Sequence, residues 1–311
     1  MNIVILDADT LGEDLDLSPL ERFGTLKIYG TTSPDERSDR VCGADIVITN
    51  KVVLDREIMS RCEGLKLICV AATGMNNIDL ETAGELGIAV KNVAGYSTPG
   101  VVQHTFAILL ELMERVSYYD GYVKSLEWSQ SPIFTHLGMP FHEIASMRWG
   151  VIGMGTIGRE VAKVASAFGA EVIYYPTSGK PHCDEYRAVS LDELMSGCDI
   201  VSIHAPLNGR TEGLIGGREL GMMRDGAILL NLGRGGIVDE ESLASELDRR
   251  EIYAGLDVTS MEPLPADSPL LSLEHPERIV LTPHVAWSSI ESRRRLLDGI
   301  VKNIEESLNV G

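Results

Sequence analysis

No stretch of this 311-residue chain approaches the roughly 18 consecutive apolar residues that a membrane-spanning helix needs. Its opening, MNIVILDAD, has no basic region and its apolar run stops at Asp7, so it reads as a first strand and not as a secretion signal. The five cysteines are odd in number and none stand in C-x-x-C spacing. Neither a disulfide framework nor a zinc site is therefore indicated, no metal is expected, and reduced cytosolic thiols are the plain reading. Basic residues are scarce, with 27 against 46 acids and a net charge of −19. Such a field repels nucleic acid and anionic membrane surfaces. An acidic protein that handles small anions then depends on individual cations set into its apolar half.

What is present is the material of a folded α/β protein. Hydrophobic residues make up 44% and charged residues 23%, and the length suits two domains, since single cores stop growing at about 250 to 300 residues. Short apolar runs recur with helical patterns between them: IVILD (3–7), DIVITN (45–50), LKLICVAAT (65–73) and IAVKNV (88–93). Strands apolar throughout are covered on both faces, as in a parallel sheet between helices. One long helical pattern follows Pro99 through VVQHTFAILLELMERVSYYDGYV, then an irregular, proline-containing stretch marks a boundary. A second series follows, with WGVIGM (149–154), EVIYY (171–175), DIVSIHA (199–205), AILLNLG (227–233), YAGLDV (253–258) and IVLTPH (279–284). The expected fold is two Rossmann-like, doubly wound parallel-sheet domains. An amphipathic helix from Ser289 onward caps the second sheet or returns to the first.

Within VIGMGTIG, Gly153, Gly155 and Gly158 form G-x-G-x-x-G directly after a strand and at the start of a helix. The first glycine permits the tight turn, the second lets backbone approach a diphosphate, and the third lets helix pack on strand. The diphosphate then sits on free helix N–H groups, so Thr156 and Ile157 join the candidate cofactor contacts. Ile157, Val161, Val164, Ala165 and Phe168 fall on one face of the helix, which Gly169 ends. An acid normally holds the ribose diol about 20 residues later. Here EVIYY runs into Pro176, Thr177, Ser178, Gly179 and Lys180, with no acid. Hydroxyls at Thr177 and Ser178 together with Lys180 suit NADP(H) as well as NAD(H), and a solvated Lys180 suits an enzyme that takes either.

Ligands of open α/β sheets lie beyond the carboxyl ends of strands. Those ends in the second series carry His204-Ala205-Pro206, Leu232-Gly233-Arg234, Asp257 and His284, with Thr211 in the loop after Pro206. Arg234 presents a planar cationic fork for a carboxylate, unless it pairs with Asp239 or Glu240. Glu262, in DVTSMEPLP, stands 22 positions before His284 and beside it would fix the imidazole tautomer. An imidazole so held can trade a proton with an oxygen while hydride moves at the adjacent carbon. The other six histidines read mainly as structural, with His204 contributing backbone to the cofactor pocket.

VIGMGTIGREVA, NLGRGGIVDEESL, AGLDVTSMEPLP and TPHVAW, in this order and spacing, resemble the D-isomer-specific 2-hydroxyacid dehydrogenase family over nearly the whole chain. The resemblance implies a flavodoxin-like substrate-binding domain of residues 1–98 and 285–311, with an NAD(P)-binding domain of residues 99–284 inserted. It implies Arg234, Glu262 and His284 as the catalytic set, Asp257 near the nicotinamide carboxamide, and backbone amides at Thr73 and Gly74, in VAATGMNNIDL, as the hold on the substrate carboxylate. NAD(P)H is the implied cofactor and a homodimer the implied assembly. VAATGMNNIDL, the GYST segment and DVTSMEPLP look most like glyoxylate/hydroxypyruvate reductases and glycerate dehydrogenases. Gln103, Ser146-Met147 and Pro176 depart from the usual pattern and bear on cofactor and substrate choice only. Two rivals remain: an NAD(H)-sensing, corepressor-like binding protein, disfavoured because the chain stops almost directly after its last helix, and a formate or phosphite oxidiser.

Overall fold

The computed structural model describes residues 1–308, so positions 309–311 of the expected first domain lie outside it. The chain divides into two compact units, Met1–Ser97 joined by the chain from Trp287 onward, and Thr98–Ala286.

The first unit holds β1 (Asn2–Ile5), β2 (Thr25–Ile28), α1 (Arg37–Val41), β3 (Ile46–Thr49), α2 (Arg56–Arg61), β4 (Leu67–Val70), α3 (Leu80–Glu85) and β5 (Ala89–Asn92). Its strands are all parallel in the order β2-β1-β3-β4-β5, the doubly wound order of flavodoxin-like sheets. Side chains alternate between two cores as the pleat requires: Ile3, Ile5, Ile46 and Ile48 face one, Val4, Leu6 and Val47 the other. Leu296, Leu297, Ile300 and Ile304 of the last helix, Ile290–Leu308, join the first of these cores. β2 has no counterpart among the apolar runs because its residues are mostly exposed at the sheet edge, where a polar strand guards against further pairing.

The expectation of reduced thiols throughout fails in this unit, where Cys42 and Cys62 form a disulfide. They stand just past the ends of α1 and α2, and packing of those two helices brings their Cα atoms to 4.4 Å. A pairing made by tertiary contact across 20 residues leaves no local spacing signature. Cys69, Cys183 and Cys198 are free and buried, and burial pushes the Cys69 and Cys198 thiols up to about 12.

The second unit begins with two helices, α4 (Thr98–Glu114) and α5 (Val116–Lys124), where one helical pattern is expected. Arg115, with φ +50°, leaves the helical region between them and breaks the run. Then come β6 (Arg148–Ile152), α6 (Thr156–Ala167), β7 (Glu171–Tyr175), β8 (Arg187–Ala188), α7 (Leu191–Gly197), β9 (Ile200–Ile203), α8 (Gly217–Met222), β10 (Ile228–Asn231), α9 (Glu240–Arg249), β11 (Tyr253–Leu256) and β12 (Ile279–Leu281). All seven strands are parallel, in the order β12-β11-β10-β9-β6-β7-β8. The strand order reverses between β6 and β9, which opens a crevice beyond their carboxyl ends. Trp149, Val151, Ile228 and Leu230 face the core under α4 and α6, while Ile152, Val201, Ile203 and Leu229 face the other. Gly255 lets α4 lie close, since a Cβ there would stand 2.2 Å from Ile108. Phe168 lies just past α6, exposed over nearly half its surface and stacked on Phe106.

Candidate active site

The glycine-rich turn joins β6 to α6 at the crevice. Gly153 has φ +91°, and a Cβ there would meet the His204 carbonyl at 3.0 Å, so the turn presses on the end of β9. A Cβ on Gly158 would stand 2.1 Å from the Gly153 carbonyl, so this glycine is required by helix packing alone. Gly155 differs: nothing lies within 4 Å of its would-be Cβ, it is exposed with Thr156, and no side chain caps α6. An uncapped helix start approached by an unencumbered glycine fits the diphosphate of a dinucleotide.

His204 and Ala205 close the other side of the crevice. Among the described residues neither buried ring nitrogen of His204 has a partner, and burial holds its imidazole down at about 3. Thr211 is buried behind this loop, its hydroxyl donating to the Pro206 carbonyl at 2.6 Å and accepting from the Asn208 amide at 2.9 Å. On the β7 side, Thr177 and Ser178 lie in a turn closed by the Gly179 amide on the Pro176 carbonyl (3.0 Å).

Arg234 follows buried Leu232 on a turn in which its neighbours must be glycine. A Cβ on Gly233 would stand 2.8 Å from the Ala205 carbonyl, and one on Gly235 would stand 1.8 Å from that of Thr259. The turn is thus threaded between the loops after β9 and β11, with Arg234 as the side chain it can carry. Asn231, buried at the end of β10, pins it from both ends, donating to the Arg234 carbonyl (2.9 Å) and accepting from the Gly233 amide (3.1 Å). The guanidinium donates to the Gly233 carbonyl at 2.8 Å. The carboxylates at the next helix start are engaged elsewhere: Asp239 caps α9 through the Ser242 amide, and Glu240 accepts from the Ser260 amide.

Beyond β12, His284 adopts φ +53°, a left-handed conformation that costs a non-glycine residue roughly 1 kcal/mol and is favoured at functional sites. Its Nδ1 lies 2.7 Å from Oε2 of Glu262. A carboxylate only accepts, so Nδ1 carries the hydrogen and Nε2 is the ring atom left for other work. Asp257 underlies the segment. Its carboxylate accepts from the Thr282 hydroxyl (2.7 Å) and from the Val285 and Ala286 amides (both 2.9 Å). Burial works to raise the Asp257 carboxyl, but bonds from His104, Thr282 and the two amides outweigh it and hold it below the usual carboxylate range. Because the Thr282 hydroxyl donates to Asp257, His104 Nε2, 3.0 Å from that hydroxyl, is the donor to it.

Arg234, Asp257 and His284 therefore extend from the carboxyl ends of three adjacent strands, β10, β11 and β12, with β9 between them and β6, which carries the glycine-rich turn. Neighbouring strands are about 4.8 Å apart, so the three ends span about 10 Å, the reach of a small organic acid beside a nicotinamide. Asn231 and His104 escape a reading of the sequence. The one signal for Asn231 is a polar residue closing an apolar strand, and His104 shows none in the pattern of its helix. Thr73 and Gly74 belong to the first unit, after β4. There the Thr73 hydroxyl donates to the Val93 carbonyl (3.2 Å), and its own carbonyl accepts from the Asn92 side chain.

Residues 106–286 match the family model described as D-isomer specific 2-hydroxyacid dehydrogenase, NAD binding domain. A hydroxypyruvate reductase of Blautia hydrogenotrophica is 38% identical over 99% of this chain and 97% of its own length. A glycerate dehydrogenase of Methylorubrum extorquens is 33% identical over 97% of this chain and 95% of its own. The crystal structure of D-lactate dehydrogenase from Aquifex aeolicus, complexed with NAD and lactic acid, superimposes with a TM-score of 0.85 at 28% identity, covering 99% of this chain and 96% of that one. With strand order, glycine-rich turn and sequence in agreement, this chain belongs to the D-isomer-specific 2-hydroxyacid dehydrogenase family.

Proposed function

We propose that this protein is an NAD(P)H-dependent reductase of small 2-oxo acids, hydroxypyruvate or glyoxylate, giving the D-2-hydroxy acid. The observation that carries the reading is the His284–Glu262 pair, set at the same sheet edge as Arg234. Bound nicotinamide supplies the hydride that reaches the carbonyl carbon. Arg234 binds the acid through its fork and draws electron density onto the carbonyl oxygen. Protonated His284 gives the proton on Nε2 to that oxygen, and Glu262 keeps Nδ1 occupied so that the ring cannot turn. Asp257, which accepts from Thr282, Val285 and Ala286, would hold the carboxamide of a bound nicotinamide. Absorbance loss of NADH and NADPH, followed with hydroxypyruvate, glyoxylate, pyruvate and a bulky 2-oxo acid, tests the reading. Fastest turnover with the first two is expected, and no turnover with any of the four overturns it in favour of a dinucleotide sensor.

A homodimer is part of the same proposal. The segment from α5 onward exposes Val116, Leu126, Ile133, Phe134, Leu137 and Phe141, with Phe134 90% and Leu137 82% accessible. Apolar side chains so concentrated mark an association surface. Sedimentation at micromolar concentration should return twice the 33.9 kDa chain mass, and a monomer would refute this part.

A further inference from the structure

The choice between NAD(H) and NADP(H) is made at the adenosine ribose, which in this kind of sheet lies beyond the end of the strand following the glycine-rich helix. That strand is β7, and from Tyr175 to Cys183 the chain carries no acid to hold a ribose diol or repel a 2′-phosphate. The turn there is gripped from another loop. Arg210, after β9, donates from Nη1 to the Ser178 carbonyl, and the same nitrogen lies 3.2 Å from where a Cβ on Gly179 would stand. The Arg210 amide is itself tied to the Asn208 side chain at 2.9 Å. His182 links the turn to the diphosphate cradle, its ring nitrogens 3.0 Å from the Met154 carbonyl and 3.3 Å from that of Lys180. Among the described residues no carboxylate pairs with Arg210, whereas Arg187, Arg218 and Arg224 of the same unit pair with Glu193, Asp192 and Asp199.

We propose that Arg210, with Lys180 and the Thr177 hydroxyl, forms a 2′-phosphate subsite, the Ser178 hydroxyl being spent on the Lys180 carbonyl (3.0 Å), and that the protein prefers NADP(H). The bond to the Ser178 carbonyl uses one N–H and anchors the guanidinium on the turn, leaving Nε and Nη2 unspent. A ribose 2′-phosphate carries about −1.5 to −2 charges at neutral pH and takes charge-assisted bonds from such a fork. In a protein of net charge −19 the same phosphate is repelled elsewhere, so a guanidinium without a carboxylate partner, held against an acid-free turn, decides the preference.

The inference rests on the dinucleotide site and is tested by binding alone. Cofactor-free protein is titrated calorimetrically with NADPH, NADH, 2′,5′-ADP and 5′-AMP, for the parent, Arg210→Gln and Arg210→Lys. The parent should bind each 2′-phosphorylated ligand at least about tenfold more tightly than its counterpart, the scale of one or two charge-assisted bonds. Arg210→Gln should collapse that ratio by about tenfold and Arg210→Lys should keep part of it, with thermal unfolding checking that both fold. Equal affinities in the parent, or equal losses for both cofactors in Arg210→Gln, would overturn the subsite alone. Binding of none of the four would overturn the subsite and the dinucleotide reading together.

Discussion

Nδ1 of His284 donates to Oε2 of Glu262 across 2.7 Å, although 22 residues of chain separate them. The bond fixes which ring nitrogen is free to work on the substrate oxygen. Glu262→Gln keeps the shape and removes the charge. We expect kcat to fall by about 10- to 100-fold with KM for hydroxypyruvate nearly unchanged. An effect confined to KM would show that Glu262 serves binding.

Arg234 is expected to act through its planar fork and not through charge alone. Arg234→Lys retains the cation but cannot bond a carboxylate and a carbonyl in fixed geometry, so kcat/KM for hydroxypyruvate should fall at least about tenfold. Steady-state kinetics with the parent rate retained in the lysine variant would contradict this role.

The two later glycines of the turn should separate cleanly by experiment. Gly158→Ala drives a Cβ to 2.1 Å from the Gly153 carbonyl and should cost about 1–3 kcal/mol of stability. A Cβ on Gly155 meets nothing within 4 Å among the described residues, so Gly155→Val should unfold close to the parent's temperature while cofactor affinity falls. Equal affinity in the valine variant would place the diphosphate elsewhere.

His204 gives the protein an acid weakness. Its folded imidazole titrates at about 3 because it is buried, against about 6.5 in the unfolded chain. Above 6.5 the ring is neutral in both states. As pH falls from 6.5 toward 3 the unfolded chain takes up the proton first, and stability is lost over that window. Melting temperatures of His204→Leu should therefore decline less steeply than the parent's between pH 6.5 and 4. Parallel curves would mean the ring finds a partner or water on protonation.

Much of this fold is written in short-range pattern. Strands such as Ile46–Thr49 and Leu67–Val70 are apolar on both faces because both faces are covered, and that alone announces parallel sheets. The glycine-rich turn is legible because two of its glycines answer to local sterics. β2 and β8 are not legible, the first being an exposed edge and the second two residues long. Nor is the Cys42–Cys62 bond, which depends on the packing of two helices, or the break at Arg115, whose guanidinium lies over the Tyr253 ring. At the site, His284 and Arg234 stand out as ionisable groups at strand ends, and Glu262 as an acid in the loop after β11. Their supports do not: Asn231 is one amide closing a strand, and His104 reaches Thr282 across 178 residues.

The measurement that bears most directly on the whole account is the rate of hydroxypyruvate reduction by His284→Gln, made alongside cofactor titration of the same variant. A loss of about two orders of magnitude or more in kcat, with cofactor still bound, is the result expected for removal of the proton donor. Turnover within a few-fold of the parent would contradict it.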